Sequence, residues 1–248
     1  MSSSPAFHSL PAASGTTALL VFGDHASRHI PARYDNLGLS GDDLTRHIAH
    51  DIGTQTVIRT LCENLGCAGH ICGFSRLLID ANRDPLTAGL IPLTSDGTVV
   101  AGNQGLSDME RAVRMAEFYT PYHGGLAAAI AALRAAHENP LVLSVHSFTP
   151  HPKTGEARAV DMALLVKDDT ATAARFMEAA QQVWPTFDLR INEPYSAYDL
   201  NHTIDVHAGK KIRHLAIEIR QDHIETERAA QAVAHKLSGI ISGLADAV

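Results

Sequence analysis

Residues 17–31 read TALLVFGDHASRHIP. An apolar run, Thr17–Phe22, stops at Gly23, and Asp24, His25, Ser27, Arg28 and His29 then follow almost together. A short run without polar alternation reads as a strand buried on both faces, as in a parallel sheet covered by helices. Such a strand ends either in a polar turn or in a binding site.

The pattern recurs. Leu77–Ile79 precedes Asp80, Asn82, Arg83 and Asp84, and reads as a second strand. Leu141–Val145 (LVLSV) precedes His146 and Ser147. Val160–Val166 is a further strand, and Leu189–Ile191 a short one. His214–Ile219 (HLAIEI) carries Glu218 and leads into Arg220, Gln221 and Asp222. Helical stretches lie between. SGDD at 40–43 caps a helix running to Leu61. Met109–His137 is helical, with an interruption near Tyr119 because Pro121 lacks a backbone donor. Thr170–Val183 and Glu225–Leu244 complete the set. This alternation predicts an α/β protein: a single-domain, three-layer α/β/α structure around a central mixed, mostly parallel sheet. Residues 1–16 read as a flexible Ser/Ala/Pro-rich lead-in and 17–248 as one domain. The loop from Asp84-Pro85 to about Asp108 is long enough to be functional or mobile.

Composition excludes several classes. The chain has 248 residues, 45% hydrophobic and 19% charged, with net charge −7. That length buries a core without disulfides. The acidic balance and low aromatic content argue against a nucleic-acid partner. No run approaches the roughly 20 apolar residues that span a bilayer, so no membrane partner is expected. The N-terminus lacks the basic and apolar regions of a secretory signal. Cys62, Cys67 and Cys72 fit neither a disulfide framework nor a C-x-x-C pair, so reduced thiols in a cytoplasmic protein are expected. The 15 histidines invite a search for metal sites.

In such sheets, ligands bind outside the carboxyl ends of the strands. His25 and His146 sit there as metal-ligand types, and a catalytic zinc needs about three protein ligands and an open position. Glu218 is the candidate general base. Arg83 has the planar fork that grips a carboxylate, with Asn82 beside it. The third ligand is open. In HIAHDIG (47–53), His47 and Asp51 are four apart, on one face of the expected helix. Asp51 is the candidate ligand, with a supporting or structural role as the alternative. His123, the NEPYS loop (192–196), His202 and His207 are further candidates to line the site or stabilise an oxyanion. Phosphate-loop, dinucleotide, H-E-x-x-H and G-x-S-x-G motifs are absent.

DHAS–IP, HIAHDIG, SRLLIDANRDP, PYH, SVHSFTP, NEPYS and HLAIEIRQD occur in the order found in the N-formylglutamate amidohydrolase family, which the chain resembles from about residue 19 to 222. That family is similar to zinc-dependent exopeptidases and aspartoacylase-like amidohydrolases. The resemblance implies a Zn²⁺ ion, or another divalent transition metal, held by His25 and His146, with Glu218 catalytic. Arg28 stands where an H-x-x-E glutamate would be, and Asp51 is its replacement. It also implies that Asn82-Arg83 binds the carboxylate of a small N-acyl amino acid, by default N-formyl-L-glutamate. Arg76, Arg158 and Arg220 are candidates for a side-chain carboxylate. The rival expectations are another N-acyl amino acid or short peptide, or a non-catalytic carboxylate-binding protein on the same fold.

Overall fold

A computed structural model of the chain describes residues 5–13 and 17–245. Seven strands form the main sheet: β1 (Phe7–Leu10), β2 (Leu19–Gly23), β3 (Ala68–Cys72), β6 (Leu141–Phe148), β7 (Met162–Leu165), β8 (Leu189–Ile191) and β9 (Arg213–Arg220). A separate hairpin pairs β4 (Thr94–Ser95) with β5 (Thr98–Val99). The helices are α1 (Gly41–Thr45), α2 (Thr54–Leu65), α3 (Asp108–Arg114), α4 (Thr120–Ala136), α5 (Thr170–Val183), α6 (His202–His207) and α7 (Glu227–Ala245).

The sheet order is β1-β3-β2-β6-β9-β7-β8. Strands β3, β2, β6 and β9 run parallel; β1 at one edge and β7 next to β9 are antiparallel to their neighbours. The architecture is thus the expected α/β/α one, with a mixed, mostly parallel sheet. The period-2 alternation of a strand sends Leu19 and Val21 to one face, against Val57, Leu61, Phe176 and Leu237 of α2, α5 and α7. Leu20 and Phe22 point to the other, against Leu126, Ile130 and Ile204 of α4 and α6. Burying each such side chain stabilises the fold by roughly 1.5–3 kcal/mol.

From β2 the chain crosses to β3 on one side, while β6 pairs on the other. This reversal opens a crevice at the carboxyl ends of β2 and β6, where α/β sheets bind ligands.

Five expectations change. Leu77–Ile79 is not a strand; it is a buried turn in a second apolar cluster with Ile48, Phe74, Phe118 and Tyr122. A short apolar run does not distinguish these two kinds of burial. The helix expected over 40–61 is two helices, because Arg46–Gly53 is irregular and Gly53 takes φ +83°. His47 and Asp51 therefore share no helix face, and His47 lies 3.3 Å from Asp96 instead. Residues 1–4 and 14–16 of the expected lead-in lie outside the described residues, but Phe7–Leu10 is an edge strand on β3. The 85–108 stretch is built rather than open. Asp96 accepts from the backbones of Lys153 and Thr154 and from Arg46, and Asn103 donates to the carbonyls of Leu77 and Pro92. Near Pro121 the helix widens into one π-turn, Met115–Tyr119, so the missing donor is accommodated without a break.

Candidate metal centre

Asp24 and His25 follow β2, while His146 and Glu218 are directly paired across β6 and β9. All four are buried. The loop after β3 supplies Arg76, Asp80, Asn82 and Arg83. Asp51 comes from the irregular turn before α2, where its backbone donates to the carbonyl of His25 at 2.8 Å.

His25 Nδ1 and His146 Nδ1 both face Asp51 Oδ2, at 3.5 and 2.9 Å. Among the described residues, this is the one trio of metal-ligand types whose donor atoms lie within 4.8 Å of one another. Ligands of a tetrahedral zinc stand about 3.3 Å apart, so the spacing fits. The other ring nitrogens are held from outside. His25 Nε2 is 2.7 Å from Asp80 Oδ1. His146 Nε2 is 2.8 Å from Ser144 Oγ and 3.5 Å from Asp24 Oδ2. Carboxylates behind metal-ligating histidines fix the ring and its tautomer in this way. Asp24 is itself held by the hydroxyls of Tyr122 and Thr203, both at 2.8 Å.

Arg76 spans Asp51 (3.4 Å) and Asp80 (3.0 Å). Its fork is committed to the site's own carboxylates. Burial opposes ionisation of Asp24, Asp51 and Asp80, but the two histidines, with Arg76 at Asp80, hold all three below the usual carboxylate range. Metal ligation requires both histidines to be neutral, and the three buried carboxylates then outnumber the single charge of Arg76, which suits a divalent cation. His25 Nδ1 is also buried without a hydrogen-bond partner, as suits a nitrogen that ligates a metal. The residues present fit a metal ion.

Across from the trio, Glu218 Oε2 is buried and has no hydrogen-bond partner. Burial raises its carboxyl to about 7, against the opposing pull of His146. A carboxylate in this state is ready to exchange a proton near neutral pH. A cavity of about 100 Å³ joins these groups, lined by His25, Asp51, His146, Glu218, Arg76, Asn82, Arg83, Ser147, Tyr195 and Leu200.

The structure thus brings together His25, Asp51, His146, Glu218, Asn82, Arg83 and Arg76. It does not bring Arg220 or His207 to this cavity. Arg220 pairs with Asp222 and Asp161, and His207 contacts His123. Arg158 stands behind Tyr195, donating to its hydroxyl at 2.7 Å. Arg28 is exposed and faces a separate cavity of about 660 Å³. Contributors that had not been singled out as site residues include Asp80 and Ser147, marked only by their places after apolar runs, Thr203 and Ser144, which contact Asp24 and His146, and Leu200, which carries no chemical signal.

Comparison with known proteins gives the family and the fold. The family model for N-formylglutamate amidohydrolase matches residues 17–225. A gene product of Agrobacterium tumefaciens has a solved structure that is 32% identical, with TM-score 0.89, over 97% of this chain and 94% of that one. An N-formylglutamate amidohydrolase from Ralstonia eutropha shares the fold at 16% identity, with TM-score 0.77, over 97% of each chain. No curated protein matches. With most of its length matched, the chain belongs to the N-formylglutamate amidohydrolase family.

Proposed function

We propose that this protein is a metal-dependent hydrolase of the amide bond in a small N-acyl amino acid, with N-formyl-L-glutamate the first substrate to test. The observation that carries the reading is the pair of buried histidines aimed at one Asp51 oxygen, facing a partnerless Glu218 across a small cavity. His25, Asp51 and His146 would hold the ion. A bound Zn²⁺ would supply Lewis-acid polarisation of the carbonyl and a lower pKa for water.

The chain's own residues do the rest. Glu218 takes the proton from the attacking water and returns it to the leaving amine. Asn82 and Arg83, on the cavity wall, hold the amino acid's carboxylate and so set the amide over the trio. Tyr195 and Leu200 line the same cavity.

The test is metal content together with turnover of formyl, acetyl and succinyl amino acids. Stoichiometric metal, loss of activity on chelation and recovery with Zn²⁺ are expected. Glu218→Gln should keep the metal and lower kcat by about 10²–10⁴. Protein that carries no metal, together with activity indifferent to chelation, would sink the reading.

A further inference from the structure

The aromatic residues at the start of α4 take no part in the donor trio, yet they hold the segment that carries Asn82 and Arg83. Three consecutive residues of that segment are fixed. His123 Nε2 donates to the carbonyl of Ala81 at 2.9 Å. The side-chain oxygen of Asn82 accepts from the backbone of Thr203 at 3.0 Å. The hydroxyl of Tyr119 donates to the carbonyl of Arg83 at 3.0 Å. Tyr119 and His123 are four apart, with ring centroids 4.2 Å from each other, at the π-turn that leads into α4.

The same two side chains reach α6. Tyr119 Oη lies 2.9 Å from His202 Nε2, and His123 Nδ1 lies 2.8 Å from His207 Nε2. The tautomers follow from the acceptors. A carbonyl only accepts, so His123 carries its proton on Nε2 and receives one from His207 at Nδ1. Tyr119 spends its proton on Arg83 and accepts from His202. Burial lowers the pKa of both His123 and His207, the latter to about 4, which keeps this pair neutral and able to bond. The helix α6 directly follows the segment that brings Tyr195 and Leu200 to the lining of the same cavity.

We propose that Tyr119 and His123 are positioning residues: they fix the Asn82-Arg83 segment and tie it, through His202 and His207, to the wall of Tyr195 and Leu200. The proposal rests on the carboxylate-gripping role given to Asn82-Arg83 above. Arg83 stands on an irregular loop. A guanidinium on a loose loop would have to be ordered as each ligand binds, whereas a segment already held at 81, 82 and 83 has met that cost beforehand.

The experiment is calorimetric titration of the full chain, loaded with zinc, using L-glutamate and its α-amide as probes. The wild type should bind glutamate more tightly than the amide, and Arg83→Ala should abolish the preference. Tyr119→Phe, which removes one hydroxyl, and His123→Ala should each weaken glutamate about tenfold and shrink the preference, with zinc stoichiometry unchanged and both variants still folded at the titration temperature. His123→Gln, which restores a donor towards Ala81, should recover part of the loss. Wild-type affinity and preference in both Tyr119→Phe and His123→Ala would overturn the proposal, as would losses that track zinc or unfolding at that temperature. A wild type with no carboxylate preference overturns it too. If the preference and its loss are seen but no N-acyl amino acid is hydrolysed, the positioning role stands and the hydrolase reading falls.

Discussion

Asp80 shows how much a single residue decides at this site. One of its oxygens faces His25 Nε2 at 2.7 Å and also accepts from the backbone of Asn82 at 2.9 Å, while the other takes Arg76. It therefore orients a proposed ligand and anchors the loop of the proposed carboxylate grip at once. In Asp80→Asn the shape is kept, but the charge that holds both His25 and Arg76 is lost. Zinc affinity should fall about 10- to 100-fold, as for other residues behind a metal ligand, measured by competition with a chromogenic chelator. An unchanged affinity would show that His25 needs no such support. At this scale the sequence was informative where a metal-ligand or acid-base type stands in or just after a buried run, as at His25, His146 and Glu218. It was less so for Asp51, because its approach to His25 and His146 depends on a turn rather than on a helical spacing.

That turn belongs to the scale of elements. Gly53 opens α2 at φ +83°, and a Cβ placed there would stand 2.1 Å from the carbonyl oxygen of Ile224. Only glycine serves both the left-handed backbone and this close approach. Gly53→Ala should cost at least about 2 kcal/mol in a denaturant melt, from the left-handed penalty plus the backbone collision, and should also weaken metal binding because Asp51 is two residues away. Normal metal affinity in a destabilised Gly53→Ala would separate the turn from the site. The same scale explains why the strands at LVLSV and HLAIEI were readable and β3 was not. The former are mostly apolar, with Val or Ile recurring along them. β3 reads AGHIC, with a glycine whose missing Cβ leaves room for Cys62 Sγ, at 2.8 Å, and with a buried histidine. These residues have poor strand preference and sit there for packing. Leu77–Ile79 misleads in the opposite sense, since tertiary burial alone makes it apolar.

Across the whole molecule, buried neutral histidines make stability depend on pH. His70 lies inside β3, between the rings of Phe7 and Tyr122, and contacts the carbonyl of Tyr122. Burial lowers its pKa to about 4, against the opposing pull of that carbonyl. Its folded pKa is therefore below its unfolded value of about 6.5, and the unfolded chain takes up the proton first. The stability that neutral His70 contributes is complete above pH ~6.5 and is lost as pH falls towards about 4. The sign is the reverse of that for a histidine gaining a carboxylate partner, as His25 does in the absence of metal. A wild-type profile alone would mix the two, so the informative quantity is a difference. Urea melts of wild type and His70→Gln, both metal-free, should give a stability gap that narrows by about 2 kcal/mol between about pH 7.5 and 5, as the wild type alone loses this contribution. A gap that stays constant over that range would mean that His70 titrates alike in the folded and unfolded chain, and that the wall of α4 against β3 admits water at its centre.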